Sequence, residues 1–236
     1  MWRFEDRLIN GVTFSPDGKL VAICGRSLTI REVLSGKIIQ EISKGHAFPS
    51  LVIFTPDSSQ VLWTGGGDSV AWLTDVESGR DIQQFPVENT HINAIAISQD
   101  NKRVATAAGT DISIWETSTG KLFFKMSTQP PSVPQELIFL PSGKQLVSGN
   151  TGGGLYLWDL TSAKQIRGFL GHTGHIQAIA ITPDGKSLFS SQGGFIFKDG
   201  QSVVDTDTSI RQWNIDTGHE IRRFNGHKNW VEGLAV

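Results

Sequence analysis

The sequence has little of several things that usually direct its interpretation. Cys24 is its one cysteine, so it can form no internal disulfide and offers no cysteine-rich metal site. Its 21 basic and 23 acidic residues nearly cancel, which leaves no basic excess to attract nucleic acid or an anionic membrane. No apolar run approaches the roughly 18 residues of a membrane helix, and the opening MWRFEDRL lacks the order of a secretory signal. We therefore expect a cytoplasmic protein that binds neither nucleic acid nor membrane.

Glycine, in contrast, is abundant. The chain has 26 glycines in 236 residues, above the usual share of about 7%. Many glycines together with short apolar runs indicate tight turns between strands rather than long helices. A hydrophobic content of 38% is ordinary for a folded domain. The composition therefore predicts an ordered, turn-rich, all-β protein.

One short pattern occurs five times along the chain. Its copies are FSPDGK at 14–19, FTPDSS at 54–59, ISQDNK at 97–102, FLPSGK at 139–144 and ITPDGK at 181–186. Successive copies lie 40, 43, 42 and 42 residues apart. Between the turns, apolar residues alternate in short runs such as AIAIS at 94–98, which predicts four strands in each repeat. Four-stranded units of this period cannot bury their faces alone, and stacking them radially gives a β-propeller.

At two positions in each repeat the residues resemble the WD40-repeat propellers. The Trp-Asp position reads Trp158-Asp159, Trp115-Glu116 and Trp213-Asn214, and the Gly-His position reads Gly171-His172, Gly226-His227 and, displaced by one residue, Gly45-His46. The resemblance covers essentially the whole chain. It departs from the family at the Trp position, which holds Arg31 and Thr74, and at the His position, which holds Glu88 and Pro130.

The repeat and the resemblance together predict the architecture. Within a single domain over residues 1–236, blades are expected at 11–43, 51–86, 94–126, 136–170 and 178–225. Residues 226–236 are expected to begin a sixth blade with an innermost strand at 230–236, and residues 1–4 to form an outermost strand. The expected fold is thus an all-β WD40-type propeller of five complete four-stranded blades plus partial end strands. We expect it to be truncated from a ring of seven, open, and prone to self-association.

The resemblance also implies a structural hydrogen-bond strut within a blade. In the family this strut runs from His through Ser and Asp to Trp. Only the fifth repeat offers all four residue types, as His172, Ser190 (or Ser191), Asp207 and Trp213. A buried polar network is tolerable only when every member is paired. We interpret these residues as structural, and expect their substitution to destabilise the fold.

Candidate chemistry is sparse, and each candidate has a structural alternative. His172 and His175 could bind a metal, but no third ligand lies near them in the sequence, and His172 is the family's loop position. The GGG runs at 65–67 and 152–154 are followed by no Lys-Ser/Thr, so turn geometry explains them better than phosphate binding. Asp205 and Asp207 form a carboxylate pair, but Asp207 also fits the strut. We expect no catalytic residue, no metal and no cofactor.

An insertion interrupts the fifth repeat. From the first turn to the Trp-Asp position the five repeats span 17, 20, 18, 19 and 32 residues, and the excess falls within residues 192–206. The insertion carries Phe195, Ile196, Phe197 and Lys198, and aromatic residues on a loop are candidates for partner binding. The alternative is a hairpin that only extends strands two and three of its own blade.

The functional expectation follows from the resemblance, which implies a non-catalytic scaffold for protein–protein interaction with a protein or peptide partner. One alternative is a regulatory or sensor propeller of a larger multidomain protein, such as a bacterial Ser/Thr kinase. A propeller enzyme or quinone-binding dehydrogenase is a further alternative, but the repeat supplies no polar or metal-binding residues at a central channel. Fold alone does not fix function.

Overall fold

A computed structural model describes residues 9–43, 48–88, 91–129, 132–198, 201–204 and 207–236, and for residues 195–198, 201 and 202 it describes the backbone only. The strand expected at residues 1–4, the Gly45-His46 pair, Pro130 and Asp205 lie outside the described residues.

The described chain forms five four-stranded antiparallel sheets, one for each repeat. The first sheet contains β1 (Gly11–Phe14), β2 (Leu20–Cys24), β3 (Leu28–Glu32) and β4 (Ile38–Ile42). The second contains β5 (Pro49–Phe54), β6 (Gln60–Gly65), β7 (Val70–Asp75) and β8 (Asp81–Pro86). The third contains β9 (Ile92–Ile97), β10 (Arg103–Ala108), β11 (Asp111–Glu116) and β12 (Leu122–Ser127).

The fourth and fifth sheets follow the same order, with one interruption. The fourth contains β13 (Pro134–Phe139), β14 (Gln145–Asn150), β15 (Leu155–Asp159) and β16 (Lys164–Gly168). The fifth contains β17 (His175–Ile181), β18 (Ser187–Gly193), β21 (Ile210–Asn214) and β22 (Glu220–Phe224). The insertion supplies β19 (Phe195–Lys198) and β20 (Gln201–Val204), which pair with each other as a separate two-stranded sheet.

Helix is nearly absent from the described residues, which contain one 3₁₀ turn at Thr151–Gly153. The expected all-β fold of five complete four-stranded units is therefore confirmed. Residues 225–236, all of which are described, form no strand, in contrast to the innermost strand expected at 230–236. A strand is defined by its backbone ladder, and the Val231 carbonyl instead accepts a hydrogen bond from the Ser191 hydroxyl, at 2.6 Å.

The chain divides into two compact units, each with its own apolar clusters. Met1–Gly109 with Ser113–Phe123 form one unit, and Thr110–Ile112 with Phe124–Val236 form the other, so that the division falls within the third sheet. In the first unit, one cluster joins the first and second sheets through residues that include Leu28, Ile30, Phe54 and Trp63. A second cluster joins the second sheet to the third through Leu62, Phe85, Ile95 and Trp115, among others. In the second unit, the fourth and fifth sheets share Val147, Phe169, Leu188 and Trp213.

The first turn of a sheet, between its first and second strands, is closed by side chains. In four sheets a hydroxyl donates to an aspartate two residues later at 2.6 to 2.7 Å, in the pairs Ser15–Asp17, Thr55–Asp57, Ser98–Asp100 and Thr182–Asp184. The same hydroxyl accepts a backbone N–H from the start of the second strand, as Ser15 does from Leu20 at 2.9 Å. These bonds explain why the sequence pattern Ser/Thr-x-Asp recurs at the repeat period.

The second turn, between the third and fourth strands, needs a left-handed residue. Glycine fills it in four sheets, and Ala163 fills it in the fourth with φ of 55°. In three of the glycine turns a side chain from the preceding sheet lies against the glycine and bonds the turn backbone. Gln40 donates to the Glu77 carbonyl at 2.7 Å, and a Cβ added to Gly79 would lie 2.9 Å from the Gln40 amide oxygen. Glycine is therefore required there for its φ and for the close approach.

We expect Ala163→Gly to stabilise the protein. An L-residue in the left-handed region destabilises the fold by about 1–2 kcal/mol, and glycine removes this strain. Glycine also makes the unfolded chain more flexible, which offsets about 0.4–1 kcal/mol of the gain. The net expected gain in the free energy of unfolding is about 0.5–1 kcal/mol, measured by urea denaturation.

Gly18→Ala is the matched reverse change. Gly18 has φ of 72° and open space around the position of an added Cβ, so strain alone should act. We expect this variant to lose about 1 kcal/mol. A loss of stability in Ala163→Gly, or none in Gly18→Ala, would contradict the role assigned to backbone strain.

Candidate functional site

A buried tryptophan on the third strand donates to a hydroxyl on the second strand in three of the five sheets. The indole N–H of Trp115 lies 2.9 Å from the Thr106 hydroxyl oxygen. In the fourth sheet Trp158 is 2.9 Å from Ser148, and in the fifth Trp213 is 2.7 Å from Ser190. All six residues are buried. Each bond therefore satisfies a donor that water cannot reach.

The second sheet makes the same bond with the two partners exchanged. Thr74 occupies the third-strand position of the tryptophans, and Trp63 occupies the second-strand position of the hydroxyls. The Trp63 indole N–H donates to the Thr74 hydroxyl at 2.9 Å, and that hydroxyl donates to the Asp81 carboxylate at 2.8 Å. The departure of Thr74 from the repeat is thus compensated by Trp63. Trp63 is visible in the sequence. Its bond to Thr74, however, joins residues that lie diagonally across β6 and β7, and only the strand register shows this.

The fifth sheet extends this bond into a longer chain. The Nε2 atom of His172 lies 2.6 Å from the Ser190 hydroxyl, and its Nδ1 atom lies 2.7 Å from the side-chain oxygen of Gln192. An amide oxygen only accepts, so the neutral ring carries its proton on Nδ1 and donates it to Gln192. Nε2 then accepts from Ser190, whose oxygen accepts from Trp213. Every donor in this chain has an acceptor.

The structure brings three of the four expected strut residues together and places Asp207 in a different set of bonds. His172, Ser190 and Trp213 are hydrogen-bonded in sequence, whereas both ring nitrogens of His172 are taken up by Ser190 and Gln192. Sequence reasoning missed Gln192. The available signal was its position two residues after Ser190, because alternate residues of one strand share a face.

Asp207 instead neutralises a buried arginine. Its carboxylate accepts from the Arg211 guanidinium at 2.7 Å and from the Ser209 hydroxyl at 2.6 Å. Arg211 also pairs with Glu220 at 3.2 Å, and its side chain is 6% exposed. Partial burial acts to raise the pKa of Asp207, but hydrogen bonds from Ser209 and Arg211 outweigh it and lower that pKa to about 2. The charge of this arginine is therefore compensated on two sides, as a buried cation requires.

The two ends of the insertion adjoin these two groups of bonds. Gln192 lies three residues before the hairpin formed by β19 and β20, and Asp207 lies three residues after it. In an antiparallel sheet alternate connections lie on the same side, so the hairpin shares its side with the loop at 169–174. That loop exposes Leu170, at 87%. Val204, on the hairpin itself, is 55% exposed.

The described residues offer little that could act as a reactive group. Burial raises the pKa of the Cys24 thiol to about 12, so it stays protonated and unreactive. The suggested metal pair of His172 and His175 does not have a free first ligand, because both nitrogens of His172 are in hydrogen bonds. Among the residues that the structure describes, no group of three His, Cys, Asp or Glu side chains could hold a metal ion.

Two stretches of the chain match a known family model. The family model described as "WD domain, G-beta repeat" matches residues 4–31 and 163–214. The second match contains the His172, Ser190 and Trp213 chain.

The chain is thus similar to WD40-repeat proteins over these two stretches and in its repeated four-stranded sheets.

Its relatives include longer proteins from several eukaryotes. "Periodic tryptophan protein 2 homolog" of Dictyostelium discoideum is 26% identical over 98% of this chain and 26% of its own length. "Meiotic fizzy-related protein 1" of Schizosaccharomyces pombe is 25% identical over 92% of this chain and 51% of its own length. "Autophagy-related protein 16" of Arabidopsis thaliana is 25% identical over 76% and 33%. The chain thus spans between a quarter and a half of the length of these relatives. Across its described residues, it contains no helix long and apolar enough to span a membrane.

We expect Ser190→Ala to cost about twice as much stability as Ser148→Ala. Both serines are fully buried and accept a tryptophan N–H, but Ser190 also donates to His172. An unsatisfied buried polar group costs about 1–3 kcal/mol, and Ser190→Ala leaves two such groups. Chemical denaturation of both variants measures the difference. Equal losses would show that the His172 bond contributes nothing to stability.

Buried His172 and half-buried Glu136 have opposite pKa shifts, which should make stability nearly independent of pH between 5 and 7. Burial, and next the charge of Arg211, lowers the pKa of His172 from 6.5 to about 4. Its contribution to stability is complete above 6.5 and is lost as the pH falls toward 4, by about 2 kcal/mol from pH 7 to pH 5. Burial raises the pKa of Glu136, on β13, from 4.5 to about 7. Its contribution is complete below 4.5 and is lost as the pH rises toward 7, by about the same amount.

Single substitutions separate the two effects. In Glu136→Gln, the free energy of unfolding should rise by about 2 kcal/mol from pH 5 to pH 7, because only the His172 contribution remains. In His172→Gln it should fall over the same range, and the double variant should be flat again. Denaturation at four pH values checks this, and a flat profile in Glu136→Gln would contradict the protonation state assigned to His172.

Proposed function

We propose that this WD40 chain is a non-catalytic scaffold for protein–protein interaction, and that the inserted hairpin of the fifth blade contacts a protein or peptide partner. The family supports an interaction or regulatory role in general terms. The observation that carries the more specific proposal is the pairing of β19 and β20 with each other alone, outside the four-stranded sheet.

The hairpin forms a two-stranded sheet of its own. Its two strands of four residues each add no strand to the fifth sheet. Its sequence places Phe195, Ile196 and Phe197 on one of these strands. Aromatic residues on a projecting element supply large contact area at low cost in conformational entropy, as binding surfaces require. The hairpin therefore has the composition of a contact surface.

The remaining chemistry supports binding rather than catalysis. In the described residues the one thiol is buried, the chain of bonds from His172 to Trp213 is internally satisfied, and Arg211 is paired with two carboxylates. The polar groups of the fifth sheet named here are thus paired with one another, which supports the assignment of partner contact to the hairpin. The proposal accordingly assigns partner binding to residues 195–198 and names no catalytic residue.

Site-specific crosslinking tests the proposal directly. A photoreactive phenylalanine analogue replaces Phe197 in one protein and Phe123 in another. Phe123 is a matched control, because it is a half-exposed phenylalanine on a strand, 55% exposed, in a repeat without an insertion. We expect position 197 to crosslink a defined partner in cells and position 123 to crosslink none of it.

The affinity of the identified partner then gives the second measurement. Phe197→Ser should weaken binding by at least about tenfold, since an aromatic hot spot contributes about 2 kcal/mol or more, whereas Phe123→Ser should leave it unchanged. If replacing residues 194–206 by a short turn leaves the affinity for this partner intact, the hairpin is not the contact and the proposal fails.

A further inference from the structure

Side chains on both faces of the fifth sheet hold the strand that leads into the hairpin. On one face, the side-chain oxygen of Gln192 accepts from Nδ1 of His172 at 2.7 Å and from the backbone N–H of Thr173 at 2.8 Å. Gln192 is fully buried. The loop that contains Gly171 and His172 is thereby hydrogen-bonded to Gln192. Gln192 in turn precedes the two glycines, at 193 and 194, that lead into the hairpin.

The opposite face of the same strand is held by the segment after β22. The Ser191 hydroxyl donates to the Val231 carbonyl at 2.6 Å, and Ser191 has no exposure to solvent. Trp230 lies against Gly193 so closely that a Cβ added to that glycine would be 2.6 Å from Cγ of the indole. A residue with a side chain at 193 would displace Trp230, which explains glycine at this position without any requirement on φ.

The strand that leaves the hairpin is held in a similar way. The Asp207 carboxylate accepts from the buried Arg211 at 2.7 Å and from the Ser209 backbone N–H at 3.0 Å. The Thr208 hydroxyl donates to the His227 carbonyl at 2.6 Å. Three separate parts of the chain, namely the Gly-His loop, β21 and the segment at 227–231, therefore converge on the two stems.

We infer that these contacts form a clamp, here called the stem clamp, that positions the inserted hairpin through His172, Gln192, Arg211 and Trp230. An isolated two-stranded hairpin is marginal in water, and this one has only four residues in each strand. Its order therefore depends on how firmly its ends are fixed. Gln192 is the central positioning residue, because it links the hairpin stem to the hydrogen-bond chain that ends at Trp213.

The stem clamp also accounts for a contrast with the fourth sheet. Asn150 occupies the position of Gln192 there, two residues after the serine that accepts the tryptophan N–H. Asn150 donates to Ser132 at 3.1 Å, and its side-chain oxygen has no hydrogen-bond partner. The connection that follows it is a tight 3₁₀ turn at Thr151–Gly153 and carries no hairpin. The side-chain oxygen is thus hydrogen-bonded at Gln192, in the sheet with the insertion, and not at Asn150, in the sheet without one.

Hydrogen exchange of the hairpin amides tests the inference without any partner. In Gln192→Leu, the amides of 195–198 and 201–204 should exchange about tenfold faster than in the parent protein, because two hydrogen bonds to the stem are lost. Gln192→Glu keeps an acceptor for His172 and Thr173 and should restore the slow exchange. The amides of β13–β16 serve as the internal reference and should not change.

A milder variant keeps the test informative if Gln192→Leu does not fold. Thr208→Val removes the hydroxyl that bonds His227 and keeps the shape of the side chain, and we expect it to accelerate hairpin exchange by about threefold. Unchanged hairpin exchange in both Gln192→Leu and Thr208→Val would overturn the inference. So would equal acceleration in β13–β16, since that would reflect loss of global stability rather than loss of positioning.

Only the consequence for partner binding rests on the proposed function, and the two can fail separately. If the hairpin loosens in Gln192→Leu but never crosslinks a partner, the stem clamp stands and the proposed contact falls. If position 197 crosslinks a partner and the hairpin exchanges equally in all variants, the contact stands and the stem clamp falls.

Discussion

A buried indole N–H that must find an acceptor is the constraint on which much of this structure depends. In four sheets that acceptor is a hydroxyl on the neighbouring strand, as for Trp158 and Ser148. The bond runs diagonally between strands two and three, so it is made in only one register. A slip of one strand by one residue would turn one of the two groups to the opposite face and leave both unsatisfied. In these four sheets a single contact thus links packing, register and polar satisfaction.

The same constraint explains how the repeat tolerates departures from its own pattern. When threonine replaces tryptophan on the third strand of the second sheet, tryptophan replaces the hydroxyl on the second strand, and the bond between Trp63 and Thr74 survives with its ends exchanged. The first sheet, with Arg31 at the tryptophan position, takes a different route. There the Arg31 guanidinium donates to the Gly36 carbonyl of the same sheet at 3.0 Å.

In the fifth sheet the bond between Trp213 and Ser190 is part of a longer chain of hydrogen bonds. His172 extends it to Gln192, and Gln192 adjoins the stem of the only inserted hairpin among the described connections. Gln192 therefore joins the hydrogen-bond chain of this sheet to the start of the insertion. Neither the repeat pattern nor the family resemblance singles out this residue.

By itself the sequence determined the repeat, the four strands in each unit, the turns and the place of the insertion. All of these are local or periodic: the Ser/Thr-x-Asp turn closes on itself within six residues, and alternation marks each strand. Tertiary structure decided which polar groups meet. Asp207 matched the expected strut by residue type, but it lies beside Arg211, while Gln192 reaches His172 from a neighbouring strand. Those pairings depend on side chains distant in the sequence, and only the register of the folded sheets brings them within hydrogen-bond distance.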